Sequence, residues 1–600
     1  MANIPSLSRP NSPHLLRFSL ARPQDPAIPR DLGILKHPIP LWFLLLCVVA
    51  FHGPMLAMRL PAGSYDANFH MSMAANYAEH WFDPWNPKAF AGFSEATYPP
   101  LTHQWIAMLS HIVGLTYGFM MVQGTAILLL PIAVYRFALL WTDKRSASYG
   151  AFCSIFLGSL ALLVYLDGQI GTTSSATLYL LALPYFYRYV VDGTVRELLF
   201  GVSIACTAAA AHHATLIFGL PLFVLPLVWL AMIDVKDKSG SRLAALGRIG
   251  GFFTLVIAGV LLILTPYLLA LIKHPIDEVV IPHSSRANYI LNPVWGVHYF
   301  LLPYGPVALA IPFIFFKGAE RRLRPLLFGF YLAFLLGLGG TTPVARLLLG
   351  RAFNVLTLER FSFYALLLAM PFMGMAISKL VDRFQTRGAH VIAGAIIGWG
   401  AFAASWNLYF PLLAPPPDVQ PIIQFLNEKD HARYRYLTLG YPYSLSAILP
   451  YTNASSVDGE YNSGRTLPEL TSHAVAQLTT ARFYGADGIA ALREMLQHAP
   501  RYGLRYIFVH DHSYDPLLAF AGWRPLQNLD TNTVVWGTIG IPPATPIASP
   551  LRPPRWQGIM WGIFPFGASL ITISLFLFFR QREGEIADLS PSTALVPEAL

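Results

Sequence analysis

Charge is scarce in this chain. Only 12% of its 600 residues are Asp, Glu, Lys or Arg, against roughly a quarter in ordinary soluble domains. That shortage excludes a conventional water-soluble fold over the whole length. Cysteine is scarce as well. Cys47, Cys153 and Cys206 each fall inside an apolar run, so neither a disulfide framework nor a CxxC metal motif is available. Acidic residues are outnumbered, 32 against 41 basic ones, for a net charge of +9. The excess sits in short loops between apolar runs, which is the signature of membrane topology and argues against nucleic acid as a partner. Residues 1–37 are Pro-rich and basic, and the first apolar run is too long for the core of a cleavable leader, with no A-x-A site after it. They read as a cytoplasmic tail feeding an anchor.

What the chain has in abundance is hydrophobic length. Apolar residues make up 54% of it. They gather in runs of about 18 to 24 residues, such as "PIPLWFLLLCVVAFHGPMLA" (38–57) and "IGGFFTLVIAGVLLILTPYLLALI" (249–272), each able to cross a core of about 30 Å. Spans are expected at 38–57, 117–140, 147–166, 173–191, 198–214, 216–233, 249–272, 300–317, 325–340, 361–379, 389–411 and 557–579. Basic clusters such as Lys236, Lys238, Arg242 and Arg248, or Lys317, Arg321, Arg322 and Arg324, fall in the gaps this path assigns to the inside. The sequence therefore predicts a polytopic α-helical protein of the cytoplasmic (inner) membrane, with about twelve transmembrane helices and both termini cytoplasmic. The transmembrane module of eleven helices covers 38–411, with a long first outer loop at 58–116. The histidine-rich stretch "PLTHQWIAMLSHIVG" (100–114) is too short to span and is expected to be an interfacial helix. Residues 412–555 are more polar and carry strand-like runs at 434–440, 503–511 and 532–538, predicting an extracytoplasmic α/β domain. A last transmembrane helix at 556–580 and a short tail at 581–600 close the chain.

The outer loops hold the candidate chemistry. The first contains "SYDANFHMSMAANYAEHWFDPWNPKAFAGFSEATYPP" (64–100), with Asp66 and His70 one helical turn apart. Two readings of Asp66 stand at this level, a functional carboxylate or the N-cap of a surface helix. Asp167 lies on the next outer loop, and His212 and His213 at a tight outer connection. Arg286, Arg346, Arg351 and Arg360 follow in later ones. Ionisable groups at a membrane are costly unless they line a cavity. The plainer alternatives are that Arg346 and Arg351 snorkel to headgroups, that His213 packs between helices and that Glu359 pairs with a nearby Arg.

Two resemblances attach to these residues. "YDANFHMSMAANYAEH…WNPKAFAGFSEATYPPLTHQ" and "GTTPVARLLLGRAFNVLTLERFSFYA" are similar to a group of bacterial integral membrane proteins labelled "6-pyruvoyl-tetrahydropterin synthase-related". Nothing in the chain resembles the soluble zinc enzyme behind that label. The overall plan resembles the GT-C superfamily of polytopic glycosyltransferases, which carry an acid in the first long outer loop, a "PPL"-type turn before an interfacial helix, and often a soluble outer domain. Asp66 matches the acid, "YPPL" (98–101, with Tyr98) the turn, and Asp167 a second acid of some members. Ala67 departs from the pattern, because many members have adjacent acids there.

The GT-C resemblance implies transfer of a sugar from a polyprenyl-phosphate donor to a glycan, lipid or protein acceptor at the outer face. Asp66 would be the general base for the acceptor hydroxyl. Arg286, Arg346, Arg351 or Arg360 would hold the departing phosphate. By ligand type, His70, His212 and His213 with Asp167 are compatible with a divalent metal ion, although their spacing is no recognised motif. A transporter or flippase for lipid-linked glycans is the second reading; it expects ionisable groups at mid-membrane and repeated halves, whereas the charges here gather at the outer ends of the spans and the halves show no similarity. A non-catalytic envelope-assembly protein would put its working part in the outer domain.

Overall fold

The computed structural model describes residues 37–237, 240–273, 283–410, 415–549 and 551–589. The expected tail 1–37 lies outside them except for its last residue, as does 590–600 of the other tail.

Long apolar stretches become helices here, since in lipid each backbone N–H and C=O must be satisfied within its own segment. Among the described residues, seven helices are long and apolar enough to cross a membrane: Leu115–Ala138, Lys144–Tyr165, His213–Lys236, Arg242–Ile272, Pro293–Gly318, Glu359–Ala404 and Arg555–Phe579. Two shorter apolar ones, Leu41–Ala57 and Arg324–Gly337, coincide with expected spans. Length and composition thus yield seven helices against the twelve spans expected, for identifiable reasons. The helix Ile170–Asp192 opens on the buried polar run Thr172, Thr173, Ser174 and Ser175. Its neighbour Val195–Ala211 has only 17 residues. Ser175 ties the two together, its hydroxyl donating to the carbonyls of Ala208 (2.8 Å) and His212 (3.1 Å). The expected spans 361–379 and 389–411 share the single helix Glu359–Ala404, interrupted at Gln385, where φ is 54°.

The stretch expected to be interfacial forms the helix Leu101–Val113. It is not merely laid on a surface. Its first turns are buried, with Gln104 Nε2 donating to the carbonyl of Trp561 (2.9 Å) and Trp105 Nε1 to Ser569 Oγ (3.2 Å) on the last helix. Its far end opens outward, Ile112 being 80% exposed.

Residues 415–549 carry a four-stranded sheet in the order Arg435–Leu439, Leu504–Val509, Val534–Gly537, Arg524–Asn528. The first pair is parallel and the other two antiparallel. Three strands lie where β-branched and aromatic content placed them. The edge strand Arg524–Asn528 is exposed throughout and contains Pro525, so its sequence gave no apolar signal.

The core of this sheet borrows from far away. Ala89, Phe90, Ala91 and Phe93 of the first long loop pack with Ile422, Tyr436 and Val457. Phe90 and Ala91 sit at positive φ, 51° and 56°. Backbone bonds hold them there, Ala91 N to Ser456 O (2.9 Å) and Ser456 N to Lys88 O (2.8 Å). Gly459 makes room, because a Cβ there would stand 2.4 Å from the Phe90 ring. Phe90→Ala should therefore cost the sheet segment about 3–5 kcal/mol. Hydrogen exchange at Ser456 and Val457 should accelerate well before that of the helical core.

Glu95 lies in the same loop, fully buried, its Oε1 accepting from Asn86 Nδ2 at 2.8 Å. Burial pushes its pKa up to about 8, against the opposing bonds from Asn86 and Asn76. The folded state therefore keeps a proton that the unfolded chain releases near its ordinary value of about 4.3, and stability falls as pH rises from there towards 8. Asp458 and Glu460, each raised by burial to about 7, act in the same direction. The melting temperature in detergent should be lower at about pH 8.5 than at about pH 5.5, and Glu95→Gln should narrow the difference.

Candidate active site

Asp66 stands immediately before the helix Ala67–Glu79. Its backbone carbonyl accepts from His70 N at 3.0 Å, but its carboxylate makes no capping hydrogen bond. Capping is thus not what engages the side chain. Protein surrounds this position closely enough to perturb the carboxyl group, yet the residue remains exposed.

The acid missing at position 67 has a spatial counterpart. Tyr65 N donates to Leu166 O (2.8 Å) and Asp66 N to Asp167 O (3.1 Å), so the two outer loops run side by side. Gly168 permits this approach. Its φ is +73°, and a Cβ would meet Ser64 Oγ at 2.5 Å and Asp66 N at 3.0 Å, conditions that only glycine meets without strain. Asp66 and Asp167 are thereby neighbours, although no local motif links them.

A third loop brings Glu359 and Arg360. Gln169 Nε2 donates to Glu359 Oε1 at 2.5 Å, and Thr172 Oγ1 donates to Gln169 Oε1 at 3.1 Å. Arg360 Nη2 donates to Thr357 Oγ1 at 2.7 Å, while its buried Nε has no hydrogen-bond partner among the described residues. An unpartnered buried donor is rare in native proteins, and here it belongs to a guanidinium beside three carboxylates. The enclosure of Asp66 raises its pKa to about 7, with the negative charge of Glu359 adding and the positive charge of Arg360 opposing. Asp167 is raised well above the usual range by burial, then by Glu359 and Asp66, again against Arg360.

The remaining candidates are distributed unevenly. Tyr98 lies close by, its ring 5.9 Å from those of both His70 and His212. His70 turns away from Asp66 and pairs with His103, Nδ1 to Nε2 at 2.8 Å. Burial lowers His70 to about 3 and His103 well below its ordinary value, so the pair is neutral at physiological pH. His212 is buried near Thr215 (3.4 Å), and His213 meets Tyr267 Oη at 3.2 Å. Arg286 Nη1 donates to the carbonyls of Phe353 (3.3 Å) and Asn354. Arg346 is exposed, its guanidinium 5.1 Å from the centre of the Phe353 ring, and Arg351 is exposed as well. Of the four arginines, Arg360 is therefore the one whose charge bears on Asp66 and Asp167, while that of Arg286 bears on Glu359. Sequence reading missed His103 and Gln169 altogether. Each contributes through a partner far along the chain, so no spacing could reveal it.

Among the described residues, no group of three or more His, Cys, Asp or Glu is arranged to hold a metal ion. His70, His212, His213 and Asp167 do not form the set that ligand type suggested. His70 is spent on His103, and Asp167 faces Arg360's charge.

The fold defined here is that of a polytopic helical membrane protein with a sheet-bearing C-terminal segment. The structure is similar to that of ArnT from Cupriavidus metallidurans bound to undecaprenyl phosphate, with a TM-score of 0.53 at 11% identity, over 85% of this chain and 99% of that one. It also matches the archaeal oligosaccharyltransferase AglB from Archaeoglobus fulgidus in complex with an inhibitory peptide and a dolichol-phosphate, with a TM-score of 0.49 at 14% identity, over 80% and 70% of the two chains. The sequence matches no protein-family model and no curated protein, so neither adds support to the pterin-synthase-related label.

Proposed function

We propose that this protein is a membrane glycosyltransferase that moves a sugar from a polyprenyl-phosphate donor to an acceptor at the outer face of the cytoplasmic membrane. One observation carries the reading. Asp66 and Asp167 are joined by their loops beside Arg360, whose Nε is buried with no hydrogen-bond partner among the described residues. The similarity to ArnT, a protein seen with undecaprenyl phosphate, supports a lipid-phosphate ligand for the same fold. In this reading the twelve expected spans leave both termini inside and the loops of Asp66, Asp167 and Arg360 outside, with residues 412–555 as an outer domain.

The chemistry follows from the charges. As the sugar–phosphate bond breaks, the anomeric carbon gains oxocarbenium character and the bonding pair stays with the phosphate. Arg360 stabilises that departing anion by charge and by its free N–H. The acceptor hydroxyl forms the new bond to the anomeric carbon and gives its proton to Asp66. A carboxylate poised near 7 is matched to that task at neutral pH. Because the donor set does not group around an ion, no step here passes through a metal.

The direct test is to supply purified protein in proteoliposomes with a radiolabelled polyprenyl-phosphate sugar and a membrane extract as acceptor. Label should move from the lipid to a new product. Label that crosses the bilayer while remaining on its lipid would identify a flippase instead.

A further inference from the structure

Two aromatic pairs join the sheet segment to the first outer loop, and they flank Asp66. Tyr65 stacks on Tyr443 (centroids 5.3 Å, planes at 24°) and Phe69 on Tyr461 (5.2 Å, 22°). The second pair is closed in. Both its rings meet Tyr98 edge-on at 6.0 Å, and Tyr461 Oη donates to the carbonyl of Thr97 at 2.8 Å. The first pair is more open, because Tyr443 is 42% exposed, and it lies close enough to Asp66 that burial and then that carboxylate raise the pKa of its hydroxyl.

Tyr443 is also held in an unfavourable backbone state. Its φ is +60°, a left-handed conformation that bulky residues adopt rarely. Asn68 Nδ2 grips its carbonyl at 3.2 Å, and Glu460 Oε1 accepts from Leu445 N at 2.9 Å to fix the turn behind it. Strain that the surroundings must maintain tends to mark functional placement.

We infer that the exposed ring of Tyr443 is a shelf for the acceptor, and that the acceptor is a carbohydrate whose C–H face lies on the ring while one hydroxyl points to Asp66. This rests on Asp66 being the base of the transfer. An open aromatic face next to a carboxylate matches a sugar ring, which is apolar on its face and hydroxylated at its edge. A lipid chain would leave the carboxylate unused. The shelf comes from the sheet segment and the base from the first loop, so neither alone selects the acceptor.

The test uses the full chain in nanodiscs and saturation-transfer NMR with a panel of methyl glycopyranosides. Ring C–H protons of at least one glycoside should be saturated by the wild type, by Tyr443→Phe and by Asp66→Asn. The signal should fall about tenfold in Tyr443→Leu, which keeps bulk against Tyr65 but removes the aromatic face. No saturation by the wild type, or undiminished saturation by Tyr443→Leu, would overturn the shelf. If Asp66→Asn transfers sugar normally while Tyr443→Leu still loses saturation, the role of Asp66 fails and the carbohydrate site stands.

Discussion

Asp66→Asn should lower sugar transfer by about 10²–10⁴-fold, the usual contribution of a positioned general base. The substitution keeps the shape of the side chain and removes its basicity. Because the carboxylate makes no capping bond, the helix Ala67–Glu79 should remain intact, and the melting temperature should hardly change. The loss should appear in kcat, since the base acts only as the acceptor's proton leaves. The pH profile gives a second readout. Asp66 must be ionised to accept a proton, and with its pKa near 7 the wild-type rate should climb as pH rises through about 7. The residual rate of Asp66→Asn should lack that limb. A variant with normal kcat would remove Asp66 from the mechanism.

Arg360→Gln should reduce kcat by about 10²–10³-fold, comparable with the loss of one preorganised donor to a developing oxyanion. It should also move the pH limb. Arg360 holds the pKa of Asp66 down against enclosure and Glu359, so its removal lets that pKa rise, and the climb should begin at higher pH. Arg346→Gln and Arg351→Gln serve as comparisons. Both residues are exposed and neither is among the charges that act on Asp66 and Asp167, and a surface charge rarely matters much, so transfer should stay within about threefold of normal. Equal losses in all three variants would mean that diffuse positive charge, and not one aimed guanidinium, receives the phosphate.

Sequence reading went furthest where the signal is local. Hydrophobic length alone marked the membrane character, and the expected positions coincide with helices because a span must satisfy its own backbone. Strand-like composition placed Arg435–Leu439, Leu504–Val509 and Val534–Gly537, whose residues are mostly buried. Asp66 and Asp167 stood out because acids are rare near apolar runs. Each of these signals lies within a window of a few residues.

What failed was everything that depends on a distant partner. Ala67 made the first loop look short of an acid, yet Asp167 arrives through two backbone bonds and a glycine with positive φ. The pairing of His70 with His103, the seating of Phe90 in the sheet core and the approach of Tyr443 to Tyr65 join residues from different elements. Four arginines were equivalent by composition, and only packing separated Arg360 from the rest. By itself the sequence determined that the chain is a multi-pass membrane protein with acids on the loops between its apolar runs, because hydropathy and charge act locally. The tertiary structure decided which of those acids stand together, because an electrostatic field depends on distance through space and not on separation along the chain.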